Sequence, residues 1–156
     1  MQKVLKELKD KILRALIIRP LVNMKFLNYM YPHVHGPKER LIIKDPGNVH
    51  LQNTLFNTRC GTITLGRGVM FSHNCMVLTG KHDYVSKDIK KIRDIVEEGE
   101  RSIEIGDGTW VCTGAIICGK VKVGKHCVIA AGAVVTKDVP DGCMAAGVPA
   151  KVIKEI

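Results

Sequence analysis

Aliphatic side chains recur at every sixth residue along the second half of the chain. Starting at Ile105, the positions Ile105, Val111, Ile117, Val123, Ile129 and Val135 are all β-branched and aliphatic. Val and Ile together make 33 of the 156 residues, so six such hits from one start arise by chance about once in 10,000. Four positions after each stands a small or β-branched residue: Thr109, Ala115, Val121, Cys127, Ala133 and Val139. Upstream the same spacing links Leu65, Phe71 and Val77, with Val69 and Cys75 at the small position. A period of six fits neither the 3.6 of a helix nor the 2.0 of a strand. It predicts a mainly β fold, a parallel β-helix in which three hexapeptides close one triangular coil.

Three coils are expected on this pattern, Leu65–His82, Ile105–Lys122 and Val123–Pro140. Stacked at the ~4.8 Å spacing of paired strands, their aliphatic residues form ladders inside a prism. Gly66, Gly68, Gly106, Gly108, Gly114, Gly119, Gly124 and Gly132 fall near corners, where glycine adopts backbone angles closed to other residues. Cys75 and Cys127 are expected as small core fillers. Residues 41–64 keep the aliphatic character in Ile42, Ile43, Val49, Leu55 and Ile63 but lose the register, a degenerate coil. Residues 83–102 interrupt the array as an excursion loop, with Ile89, Ile92, Ile95 and Val96 spaced as in a short amphipathic helix. In the N-terminal segment, residues 1–40, Leu5, Leu8, Ile12 and Leu16 line one helical face and Pro20 ends it. The expected domain organisation is that basic helical segment followed by the β-helix over 41–156.

Composition narrows the class. Aromatic residues make only 4% of the chain, which suits a narrow β-branched interior. The 46% hydrophobic and 25% charged fractions exclude disorder, and no stretch approaches the ~20 apolar residues of a membrane span. Residues 1–18 carry seven charges and no apolar run of the secretory type, so no leader is expected there. None of the six cysteines forms a CxxC pair, so small buried thiols in a reducing cytoplasm are expected rather than disulfides or a zinc site. The net charge is +9, and residues 1–25 alone contribute +5. Without interleaved aromatics this basic excess argues against nucleic acid. It suits an anionic small molecule, or weak contact of residues 1–25 with an acidic membrane surface, with packing on the prism or a second subunit as the favoured role of that helix.

Four stretches carry chemistry beyond the repeat. They are Phe71-Ser-His-Asn-Cys-Met-Val-Leu-Thr-Gly-Lys-His82-Asp-Tyr, Ile105-Gly-Asp-Gly-Thr-Trp-Val111, Val135-Thr-Lys-Asp-Val-Pro140 and Ala146-Gly-Val-Pro-Ala-Lys151. In this order, from about Leu51 to Ile156, the chain resembles the left-handed β-helix acyltransferases, and among them the galactoside and maltose type of sugar O-acetyltransferase.

The resemblance implies a left-handed prism, a homotrimer with sites in the grooves between neighbouring prisms, and acetyl transfer from acetyl-CoA without a metal. His82 matches the catalytic histidine, and imidazole chemistry agrees: it is neutral near pH 7 and can take a hydroxyl proton as the oxygen attacks a thioester. The donor edge is implied at Thr113, Ala131 and Thr136, with Lys151 and Lys154 near the CoA phosphates. Asn57, or alternatively Asn53, matches an acceptor-contacting asparagine. His73 and Asp83 are candidates for shaping the acceptor site, while His33, His35, His50 and His126 are expected at the surface without a role. The acceptor is expected to be a saccharide or a nucleotide sugar. An amino-sugar N-acetyltransferase is the alternative chemistry, and a non-catalytic scaffold the remote one. Serine acetyl transfer is disfavoured because no long helical N-terminal domain precedes the repeats. A zinc-dependent γ-carbonic anhydrase is disfavoured by the lack of a close histidine pair.

Overall fold

The computed structural model describes residues 31–82 and 101–156. The expected N-terminal helix, the helical pattern within 83–102 and Asp83 lie outside the described residues. The described residues 32–156 belong to one compact unit. Short strands run along it in chain order. They are β1 His33–His35, β2 Leu41–Ile43, β3 Leu55–Asn57, β4 Ile63–Leu65, β5 Met70–Phe71, β6 Met76–Leu78 and β7 Ile103–Ile105, then β8 Trp110–Val111, β9 Ile116–Cys118, β10 Val121–Val123, β11 Val128–Ile129, β12 Val134–Val135, β13 Cys143–Gly147 and β14 Ala150–Glu155.

These strands form three sheets, the walls of a left-handed β-helical prism. Sheet A has the order β1-β3-β6-β9-β12, sheet B β10-β7-β4-β2, and sheet C β14-β13-β11-β8-β5. Pairing is parallel except between β13 and β14, which form an antiparallel pair. Each coil thus repeats the same three walls, and strand partners in the regular coils are 18 residues apart, as in Val121↔Ile103 and Val134↔Ile116.

The hexapeptide register holds throughout the regular coils. Ile105, Val111, Ile117, Val123, Ile129 and Val135 are all buried, as are the small-position residues from Thr109 to Val139. Cys75 and Cys127 are buried fillers, and burial pushes the Cys75 thiol pKa up. The one polar side chain among the small-position residues, Thr109, keeps its hydroxyl paired: it donates to the Gly124 carbonyl at 2.8 Å and accepts from Cys127 N–H at 3.1 Å.

Corner glycines divide into two kinds. Gly68, Gly108, Gly114, Gly119 and Gly132 have positive φ, as expected. Gly66, Gly106 and Gly124 do not; they are required by space. A Cβ on Gly106 would lie 2.6 Å from the backbone C and O of Gly124 in the next coil, so only glycine lets the coils stack there.

The first coils differ from expectation. The prism starts at β1, ahead of the boundary at residue 41, because His33–His35 pairs in register with Leu55–Asn57. The polar His-Val-His strand, followed by Gly36-Pro37, carries no hexapeptide signal. In the degenerate coil Phe56 fills the core, packed edge-on against Phe71 at 5.4 Å between ring centroids, while Leu55 is half-buried and Ile42 is exposed. Partners there are 21 or 22 residues apart, as in Leu55↔Met76 and Leu41↔Ile63, and the inserted residues shift the inward positions. No helix among the described residues is long and apolar enough to cross a membrane.

Candidate active site

At the end of β6 the chain leaves the wall of sheet A as Thr79-Gly80-Lys81-His82. Cross-coil contacts fix this segment to the coil before it. Thr79 is buried; its hydroxyl donates to the Asn57 carbonyl at 2.7 Å and accepts from Cys60 N–H at 3.2 Å. The Cys60 thiol points at the Lys81 carbonyl, 3.8 Å away. When the chain returns, Arg101 Nε donates to the Thr79 carbonyl at 2.9 Å, so both ends of the excursion meet at one residue.

His82 is exposed at the rim of an open cleft of about 370 Å³. Asn57, Arg59 and Lys81 line the same cleft, with His35, Leu78 and Gly80. Strand register explains the gathering, because His35, Asn57 and Leu78 are consecutive partners at the edge of sheet A. Asn57 Oδ1 accepts from Arg59 N–H at 3.0 Å, which turns its amide nitrogen toward Gly80. A Cβ on Gly80 would sit 2.7 Å from that nitrogen, so glycine is what lets Asn57 occupy the cleft beside the His82 segment. Asn53 is elsewhere: its side chain pairs with Asn74 at the opposite corner of the wall, Nδ2 to Oδ1 at 2.6 Å.

The other candidates fall into separate groups. His73, Thr113 and Ala131 stack in one corner column, linked by Gly114 N–H to the His73 carbonyl at 2.9 Å and Gly132 N–H to the Thr113 carbonyl at 3.0 Å. His73 is therefore at the far end of β6 from the His82 cleft. Thr136 follows Val135 of β12 and lies on the same edge of sheet A as Asn57 and Leu78. Lys151 and Lys154 are exposed on β14, opposite Ala146 and Met144. The three-residue strand β9 separates the Thr113 column from the Thr136 edge. A single prism thus presents the donor candidates at two edges, and only Asn57 joins His82 in its cleft.

His35, Arg59 and Lys81 have no role in the sequence expectations, and His35 was expected to be a bland surface residue. Lys81 adjoins His82 and could have been found from that alone. His35 and Arg59 arrive through stacking of the early coils, where the repeat is lost. A second, larger cavity of about 510 Å³ opens on sheet B and contains none of the candidates. Among its lining groups, the Asp107 carboxyl is held below the usual carboxylate range, first by the hydrogen bond from Arg67 N–H and then by nearby Arg67, Lys44 and Lys125. Among the described residues no three His, Cys, Asp or Glu side chains converge as metal ligands do.

Residues 102–137 match the bacterial transferase hexapeptide (six repeats) family. A solved maltose O-acetyltransferase from Clostridium difficile is 31% identical, with a TM-score of 0.54, covering 81% of this chain and 67% of that one. Together with the prism and its excursion, this defines the class: the chain belongs to the hexapeptide-repeat acyltransferases. Within the class it resembles the sugar O-acetyltransferases. A galactoside O-acetyltransferase of Lactococcus lactis is 29% identical over 162 residues, 96% of this chain and 75% of the relative. A serine acetyltransferase of Haemophilus influenzae is 31% identical over 97 residues, 58% of this chain. The chain spans 36% of that enzyme's length, and 54% of a Schizosaccharomyces pombe relative to which it is 38% identical.

Proposed function

We propose that the protein is an acetyl-CoA-dependent O-acetyltransferase that acts on a sugar hydroxyl, with His82 as general base. The observation that carries this reading is the shared cleft of His82 and Asn57 at the point where the repeat opens. The imidazole takes the hydroxyl proton as the sugar oxygen attacks the thioester carbonyl carbon. The new C–O bond replaces the C–S bond, and CoA leaves as the thiol once the thiolate is protonated. Transfer is direct, with no acyl-enzyme. The galactoside and maltose O-acetyltransferase relatives support a saccharide acceptor.

A screen of sugars, amino sugars and serine tests this, following free CoA and locating the new acetyl group by mass. An ester on a sugar is the expected product. Amide from an amino sugar alone, or ester on serine alone, would displace the sugar O-acetyl reading.

A trimer completes the site in this proposal. Sheet A presents Leu55, Met76, Ile116 and Val134 outward, and sheet C presents Met70, Trp110, Val128 and Met144. Sheet B instead carries Ile42, Thr64, Glu104 and Lys122. Two apolar walls and one wall that mixes Ile42 with polar and charged groups suit a closed ring, in which each prism offers different faces to its two neighbours. Such a ring brings the Thr113–Ala131 column of one copy toward the His82 cleft of the next. Sedimentation at micromolar concentration is expected to give about three chain masses. A stable, active monomer would refute the shared site.

Lys151 and Lys154 are proposed to hold the CoA phosphates. Lys151→Ala and Lys154→Ala are each expected to weaken acetyl-CoA binding about 2- to 5-fold at low salt, and less as ionic strength rises. Unchanged affinity at low salt in both variants would remove them from the donor site.

A further inference from the structure

Among the described residues, the lining of the His82 cleft holds the Arg59 guanidinium and no carboxylate. Arg59 and Lys81 stand there with the imidazoles of His35 and His82. The sheet B cavity differs: its four cations, Lys44, Arg67, Lys122 and Lys125, stand among three carboxylates, Glu104, Asp107 and Asp141, so most of its charge is matched. Arg59 is also unusually well placed for an exposed residue. Its N–H donates to Asn57 Oδ1 at 3.0 Å, and its carbonyl accepts from Arg40 Nη1 at 3.1 Å. The backbone is held on both sides while the guanidinium has no ion-pair partner among the described residues.

A guanidinium offers a planar fork of donors that matches a carboxylate or a phosphate, and its charge persists at any working pH. A neutral sugar would leave that fork to water. An anionic one would engage it while its hydroxyl faces the imidazole across a cleft near the small end of the usual range for ligand sites.

We propose that Arg59 is a specificity-determining residue that binds an anionic group, carboxylate or phosphate, on the sugar acceptor. The inference rests on the sugar O-acetyltransferase reading and adds the acceptor's charge to it. It also divides the anion-binding work: Arg59 for the acceptor, Lys151 and Lys154 for the donor.

The test compares binding of glucose, glucuronic acid and glucose 1-phosphate to the full-length protein by calorimetry at about 20 mM salt. At least one anionic probe is expected to bind roughly 10-fold more tightly than glucose, and which of the two does so separates carboxylate from phosphate. In Arg59→Ala the ratio is expected to fall toward one, and Arg59→Lys should restore part of it. Both variants keep the backbone contacts of residue 59, so folding is spared. No preference in the parent overturns the proposal, as does a preference that survives Arg59→Ala. So does a loss that falls on acetyl-CoA affinity instead of the anionic sugar, because Arg59 would then serve the donor. An Arg59-dependent preference without acetyl transfer to any sugar would keep the anion subsite and remove the transferase reading.

Discussion

Replacing His82 by Ala is expected to lower acetyl transfer by roughly 100- to 10,000-fold, the usual contribution of a positioned acid–base group. The variant should fold, because His82 is exposed at the rim and contributes nothing to the aliphatic ladders. It should also bind acetyl-CoA. His73→Ala should cost far less, since His73 stacks with Thr113 at the far end of β6. Turnover must be measured beside acetyl-CoA binding and assembly state, because misassembly mimics a catalytic defect. A correctly assembled His82→Ala protein with near-parent turnover would remove His82 as base.

The second large effect is structural. Ile105→Ala is expected to destabilise the protein by about 2–5 kcal/mol, through lost burial plus the cavity left between Leu65 and Val123 in the ladder. Ile105 is 2% exposed, and its neighbour Glu104 points outward on the same strand. Glu104→Ala should therefore stay within about 0.5 kcal/mol. Urea denaturation at one fixed protein concentration checks both, since an associating protein's midpoint shifts with concentration. Equal costs for the two variants would mean that β7 does not alternate as described.

That alternation was legible in the sequence, and for a physical reason. In a regular coil each inward position lies directly over its equivalent 18 residues away, so one steric demand is repeated and prints a period. Where three or four residues are inserted, as between Leu55 and Met76 or Leu41 and Ile63, the demand persists but the period does not. Phe56 rather than Leu55 then faces inward, and β1 goes unseen. The same limit applies to the cleft. His82 and Asn57 could be found from short motifs, whereas Arg59 and His35 reach it only through coil stacking. The corner glycines show the converse: Gly106 was marked by its position in the repeat, but its reason, backbone closing on backbone at Gly124, exists only between coils.

The base of the excursion has a consequence for divergence among relatives. The chain departs after Thr79 and comes back at Arg101, whose guanidinium grips the Thr79 carbonyl, while β7 rejoins β4 in register as though nothing had intervened. An insertion tied off in this way is a cassette. Between ends that are already fixed, each doubling of the inserted length adds only about 0.6 kcal/mol of closure entropy. A different insert can therefore stand between these fixed ends while the ladders stay in place. Exchanging the segment between His82 and Arg101 for one of different length and sequence should leave the prism's stability nearly intact.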